Sequence, residues 1–307
     1  MASRATTSGN FNSARGALRF TAHPTMGDVY FVNNANTNKS ATGGYCSDAP
    51  ADSVNTAIAS LVNTPTFLSN YGDTVFIGAG HAESIVGAAA AGTFTFSKPG
   101  VSWVGQGNGR QRPIFTFSTA TTAQMIVSGA GQLFQNLVFD FTGIDAIVAA
   151  ISVTAADVTF DNCDFICNSA TAGVVKGILT AATADRFRVT NCRFLGPATN
   201  SGTTTTCQIG HEVGVDYVFQ NNYHCGKMTQ AILNATTILR GLIDGNRFVI
   251  STGTVAVTMA AASTPFITNN RINVPSGTAP ITAAAGFVAG NTYSAAAGVT
   301  AGTASTF

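Results

Sequence analysis

The chain has 307 residues, of which only 15 are Lys or Arg and 14 Asp or Glu, roughly a third of the charge an ordinary soluble domain carries. With 47 Ala, 42 Thr, 32 Gly and just two glutamates, Glu83 and Glu212, a helical bundle with a charged solvent face is excluded. A net charge of +1 supplies no basic footprint for nucleic acid, which needs clustered cations to displace counterions.

Residues 1–27 read as a polar arm dotted with Arg4, Arg15 and Arg19, without the apolar core of a secretory leader. A strand is expected at Asp28–Val32. One helix follows, with Asp52 as N-cap, Val54, Ala57, Ile58 and Leu61 at helical spacing, and Asn63-Thr-Pro65 as its stop. No apolar stretch approaches the ~20 residues of a membrane span.

From Gly72 the pattern changes to short strands punctuated by Gly, Asn and Thr. His81 beside Glu83 could form an acid/base pair, but the edge of a cap is the plainer setting. Gly105-x-Gly107-x-Gly109 has no helix behind it and so no anion cradle; it turns the chain. Beyond residue 130 a repeat emerges: Phe134-Gln-Asn136-Leu-Val-Phe139, Phe160-Asp-Asn162-Cys-Asp-Phe165 and Val189-Thr-Asn191-Cys-Arg-Phe194. Looser copies contain Asn221, Asn246, Asn270 and Asn291. A period near 25 with asparagine at a fixed bend is what one coil of a parallel β-solenoid requires. Each coil would give three strands and three turns, with Phe stacked in a narrow lumen and Asn in the left-handed conformation at the corner. An antiparallel sandwich also gives short strands, but Asn108-Gly109 and Asp244-Gly245 are the only Asn-Gly or Asp-Gly dipeptides that would mark its hairpins. The expected fold is therefore all-β: a right-handed parallel β-helix over 72–295, a strand and capping helix over 28–71, the arm 1–27 and an uncharged tail 296–307. A capping helix blocks edge-to-edge growth at an open solenoid end.

The cap helix, the Gly72-Asp-Thr strand, Lys98-Pro-Gly-Val with a strand ending Gly105-Gln-Gly107, and the Asn-x-x-Phe coils together resemble the pectin-lyase-like right-handed β-helix superfamily. Among its members the chain looks most like the β-helix proteins of tailed bacteriophages. That superfamily holds lyases, hydrolases, tail spikes and inert virion parts, so the resemblance speaks for fold rather than activity.

A lyase of this family implies carboxylates converging on Ca²⁺ from adjacent coils and an Arg to take a sugar-ring proton. Asp161, Asp164 and Asp185 with Arg188 and Arg193 are the candidates, and ion pairing between stacked coils explains them more simply. A glycosidase would need two carboxylates across a groove; Asp140 with Asp145, or Asp161 with Asp164, could supply the pair, but one Trp and six Tyr offer few sugar platforms. Six cysteines without a CxxC pair read as buried, reduced thiols, with no metal and no cofactor expected.

The expectation from sequence is thus a non-enzymatic phage virion protein, made in the host cytoplasm. It would decorate the capsid surface as a homotrimer against the major capsid protein, gripping partners through Arg4, Arg15, Arg19 and Phe307, with no nucleic-acid or membrane partner. The alternative is a tail-spike or receptor-binding protein that binds or cleaves cell-surface polysaccharide.

Overall fold

The computed structural model describes residues 29–39, 47–54, 72–86, 94–118, 121–199, 205–211, 214–236, 238–251, 255–261, 263–275, 280–283 and 286–295. The arm and the tail, with Arg4, Arg15, Arg19 and Phe307, lie outside them, as does the expected helix apart from Val54 at its start.

The described strands form three parallel sheets of eleven, nine and eight strands, here sheets 1, 2 and 3. The chain visits each sheet once per coil. Leu133–Gln135 lies in sheet 1, Val138–Asp140 in sheet 2 and Ile151–Val153 in sheet 3, and Thr159–Asp161 returns to sheet 1 one level on. This is the right-handed parallel β-helix expected from the repeat. Among the described residues no helix is long and apolar enough to cross a membrane.

Period-two alternation sends every second side chain inward, and register stacks like on like. In sheet 2, Phe115, Phe139, Phe165, Phe194, His224 and Phe248 are successive register partners, with adjacent ring centroids 4.5–5.7 Å apart and nearly parallel. In sheet 1, Trp103, Phe134 and Phe160 stack likewise. Fully buried aromatic rings contribute roughly 1.5–3 kcal/mol each, and stacked pairs add to that.

The corner between sheets 1 and 2 explains the asparagines and corrects their alignment. The left-handed position is held by Asn136, Asn162, Asn191, Asn221, Gly245, Asn269 and Gly290, with φ between 51° and 67°. Asn246, Asn270 and Asn291 stand one residue later, on an inner row continuous with Leu137, Cys163, Cys192 and Asn222. There Asn222 Nδ2 donates to Asn246 Oδ1, Asn246 Nδ2 to Asn270 Oδ1 and Asn270 Nδ2 to Asn291 Oδ1, at 2.9–3.0 Å. Two asparagine rows with different tasks therefore lie side by side, and a sequence alignment on Asn alone merges them. The run Gly105–Gly109 bends the coil and leads into a single 3-10 turn, Gly109–Gln111. A Cβ on Gly105 would lie 2.3 Å from the Asn136 carbonyl oxygen, which is why that position is glycine.

Candidate functional site

The sequence-derived carboxylates occupy two sides of this corner and do not converge. Asp161 closes a sheet 1 strand, where its carboxylate accepts from Gln135 Nε2 at 2.9 Å and from Thr190 Oγ1 and Asn191 Nδ2 at 2.8 Å. These donors outweigh its desolvation and hold its pKa below the usual carboxylate value. The same cradle recurs three coils on, where Asp244 accepts from Gln220 Nε2, Thr268 Oγ1 and Asn269 Nδ2. Gln, Asp, Thr, Gln, Asp, Thr thus follow one another along a single register row, an arrangement that saturates each carboxylate.

Asp164, three residues later, opens a sheet 2 strand and is buried. Arg112 Nη1 lies 2.9 Å from its Oδ2, and Arg193 grips both its oxygens. The buried Arg112 also donates to the carbonyls of Leu137 at 2.9 Å and Asn162 at 2.5 Å, so one guanidinium ties together successive coils. Asp185 lies at the opposite edge of sheet 1, accepting from the Val215 amide at 3.0 Å. Arg188 is exposed on the outer face of sheet 1, in register with Thr159 and Val218. Asp140 caps the Thr142 amide and Asp145 the Gly173 amide. His81 is fully buried, its Nδ1 accepting from the Asn34 amide and its Nε2 3.0 Å from Glu83, whose Oε2 also accepts from the Val54 amide. That pair fastens the backbone at Val54 to the first coil. Cys163, Cys167 and Cys192 are buried free thiols, and burial pushes Cys192 well above its ordinary pKa. Among the described residues no group of three or more His, Cys, Asp or Glu is placed to hold a metal ion.

Correct register reveals a feature the sequence alignment hid. On the outer face of sheet 2, Arg193, Tyr223, Arg247 and Arg271 are successive partners, with all three arginines exposed. Each follows the left-handed corner residue by two positions. Aligning Asn246 with Asn191 displaced Arg247 by one place and scattered the row. The Arg247 guanidinium lies over the Tyr223 ring, 5.5 Å from its centroid. Arg193 is ion-paired with Asp164, which it shares with Arg112; among the described residues Arg247 and Arg271 have no ion-pair partner. Two like charges stacked about 4.8 Å apart repel each other, and the strip is complementary to an anion that spans both. Guanidinium groups donate in forks that match carboxylate, sulfate or phosphate oxygens.

Neither a protein-family model nor a curated protein matches the chain. Among solved structures it is similar to a rhamnogalacturonan lyase, with a TM-score of 0.51 and 13% identity over 82% of this chain and 70% of that one. It is also similar to pectate lyase Pel9A, with a TM-score of 0.47 and 12% identity over 91% and 78%. A GH136 lacto-N-biosidase from Eubacterium ramulus gives a TM-score of 0.40 and 9% identity over 87% and 67%. The first similarity bears out the pectin-lyase-like β-helix fold. It also corrects the expectation of a non-enzymatic chain, because the fold adopted here is one on which a named polysaccharide lyase is built. Ion pairing between coils and few aromatic sugar platforms are the grounds for expecting no catalysis, and they are insufficient: a few convergent groups suffice for such chemistry.

Proposed function

We propose that this chain is a β-helix component of a phage particle that engages an anionic cell-surface polysaccharide along the outer face of sheet 2. The observation that carries the reading is the row Arg193, Tyr223, Arg247 and Arg271, in which Arg247 and Arg271 have no ion-pair partner among the described residues. Tyr223 adds an aromatic surface, half-buried beneath Arg247, against which an apolar sugar face can pack. The phage setting comes from the sequence resemblance, and the likeness of the fold to that of a rhamnogalacturonan lyase supports the choice of a glycan.

The test is titration of the purified chain with polygalacturonate and with neutral dextran at low and high salt. Binding is expected for polygalacturonate alone, weakening as salt rises. Arg247→Ala with Arg271→Ala should weaken it by about tenfold or more, the scale of one to two charge-assisted contacts. The absence of any selective binding to the acidic polymer would refute the reading. New reducing ends in the same mixture would report cleavage.

A second reading, capsid decoration as a homotrimer on the major capsid protein, draws on Leu239, Phe266 and Phe287. These are exposed at 43%, 54% and 41% on sheet 1, large apolar groups suited to burial against another protein. Retention on empty phage heads would favour it.

A further inference from the structure

A second charged row lies on the corner where the chain enters sheet 1, well apart from the basic strip of sheet 2. Asp157, Arg186, Asp216 and Arg240 all have left-handed backbone, with φ of 60°, 54°, 58° and 53°. They stack one per coil: the amides of Asp157, Arg186 and Asp216 donate to the carbonyls of Asp185, Val215 and Leu239 on the next level. The signs along the row run minus, plus, minus, plus. Asp157 with Arg186, and Asp216 with Arg240, form forked pairs at 2.5–3.1 Å, and Arg186 also feels Asp216. Left-handed backbone tolerates Asp but disfavours Arg, and Gly100 and Gly131 hold positive φ at the corresponding positions of earlier coils. Four charged residues at successive corners in a chain so poor in charge call for a reason beyond turning the chain.

We infer that this corner and the adjoining face of sheet 1 bind a second copy of the same chain, antiparallel, about a two-fold axis passing between Arg186 and Asp216. Reversing a minus, plus, minus, plus row gives its complement, so each carboxylate meets a guanidinium of the second copy. A parallel copy in the same register would set like against like. The apolar groups agree with this choice. Beside the corner, the outward row of sheet 1 contains Leu133, Thr159, Arg188, Val218, Leu242 and Phe266, and the same two-fold places Phe266 opposite Leu133 of the other copy. Such an interface is isologous and closed. It is independent of the glycan reading, which uses sheet 2.

The experiment measures the mass of the full chain in solution, by sedimentation equilibrium, beside a variant in which the whole row is inverted: Asp157→Arg, Arg186→Asp, Asp216→Arg and Arg240→Asp. The inversion keeps every pair within a chain, so the fold is retained and circular dichroism verifies it. Wild type and variant should each give a two-copy mass. Mixed after dissociation, they should form mixed pairs at least about tenfold below the statistical proportion, because an inverted row meets a native one like against like. A one-copy or three-copy mass for the wild type overturns the inference, and so do mixed pairs at the statistical proportion.

Discussion

The imidazole of His224 lies parallel to the ring of Phe194, 4.6 Å between centroids and 7° between planes, and occupies a phenylalanine's place in the sheet 2 stack. Its Nδ1 is paired with Gln208 Oε1 at 2.7 Å, and complete burial lowers its pKa to about 3. His211, buried beside Phe187 and Tyr217, is lowered to about 4, burial outweighing the pull of Asp185. Both histidines are neutral in the fold and take up protons near pH 6.5 when unfolded. Their stabilising effect is therefore complete above that pH and is lost as pH falls from about 6.5 towards 4 and 3. Urea unfolding at pH 7 and pH 5 should differ by roughly 4 kcal/mol, about 2 from each histidine. His224→Phe, which continues the stack, should remove about half of that difference.

The inner asparagine row should be far more sensitive than the outer one. Asn246 donates to the Phe219 carbonyl and Asn270 Oδ1 and accepts from the amide and side chain of Asn222, all buried. Asn246→Ala strands these partners and should cost about 3 kcal/mol in denaturant unfolding. Asn191→Ala, at the solvent-facing corner where one bond to Asp161 is lost, should cost about 1 to 2 kcal/mol, chiefly from its left-handed backbone.

Arg112 and Arg193 share Asp164, but only Arg112 shares its burial. Arg112→Ala leaves the buried carboxylate without its enclosed partner and releases two backbone carbonyls, so a loss of about 3–5 kcal/mol is expected. Arg193 is 55% exposed, and Arg193→Ala should cost no more than about 1 kcal/mol. Thermal melts of the two variants give the comparison directly; equal losses would contradict this division.

Gly241 approaches Tyr217 so closely that an added Cβ would lie 1.9 Å from the ring carbon Cζ. The Tyr217 ring is fully buried and its hydroxyl takes a hydrogen bond from Asn234 Nδ2, so it has no free space to retreat into. Gly241→Ala should destabilise by about 3 kcal/mol or more, at the upper end of core overpacking. Combination with Tyr217→Ala should recover part of that loss in the same melting assay.

The repeat was legible because solenoid register forces it. Strands that pair with their own successors stack equivalent residues, so the Phe positions and the left-handed corners recur along the chain. The all-β class, the stacked lumen and the corner asparagines could be read before any coordinate was known. Gly245 and Gly290 could not, since either glycine or asparagine satisfies positive φ and the nearby Asn246 and Asn291 imitate the missing letter. That one-residue ambiguity concealed the basic row of sheet 2. Only backbone pairing decided that Arg247 faces Tyr223 and Arg271, that Asp161 is saturated while Asp164 is clasped, and that four charged residues line one corner. Composition determined that charge would be scarce; the tertiary structure decided where it accumulates, because coils of unequal length bring into contact residues whose spacing along the chain is not constant.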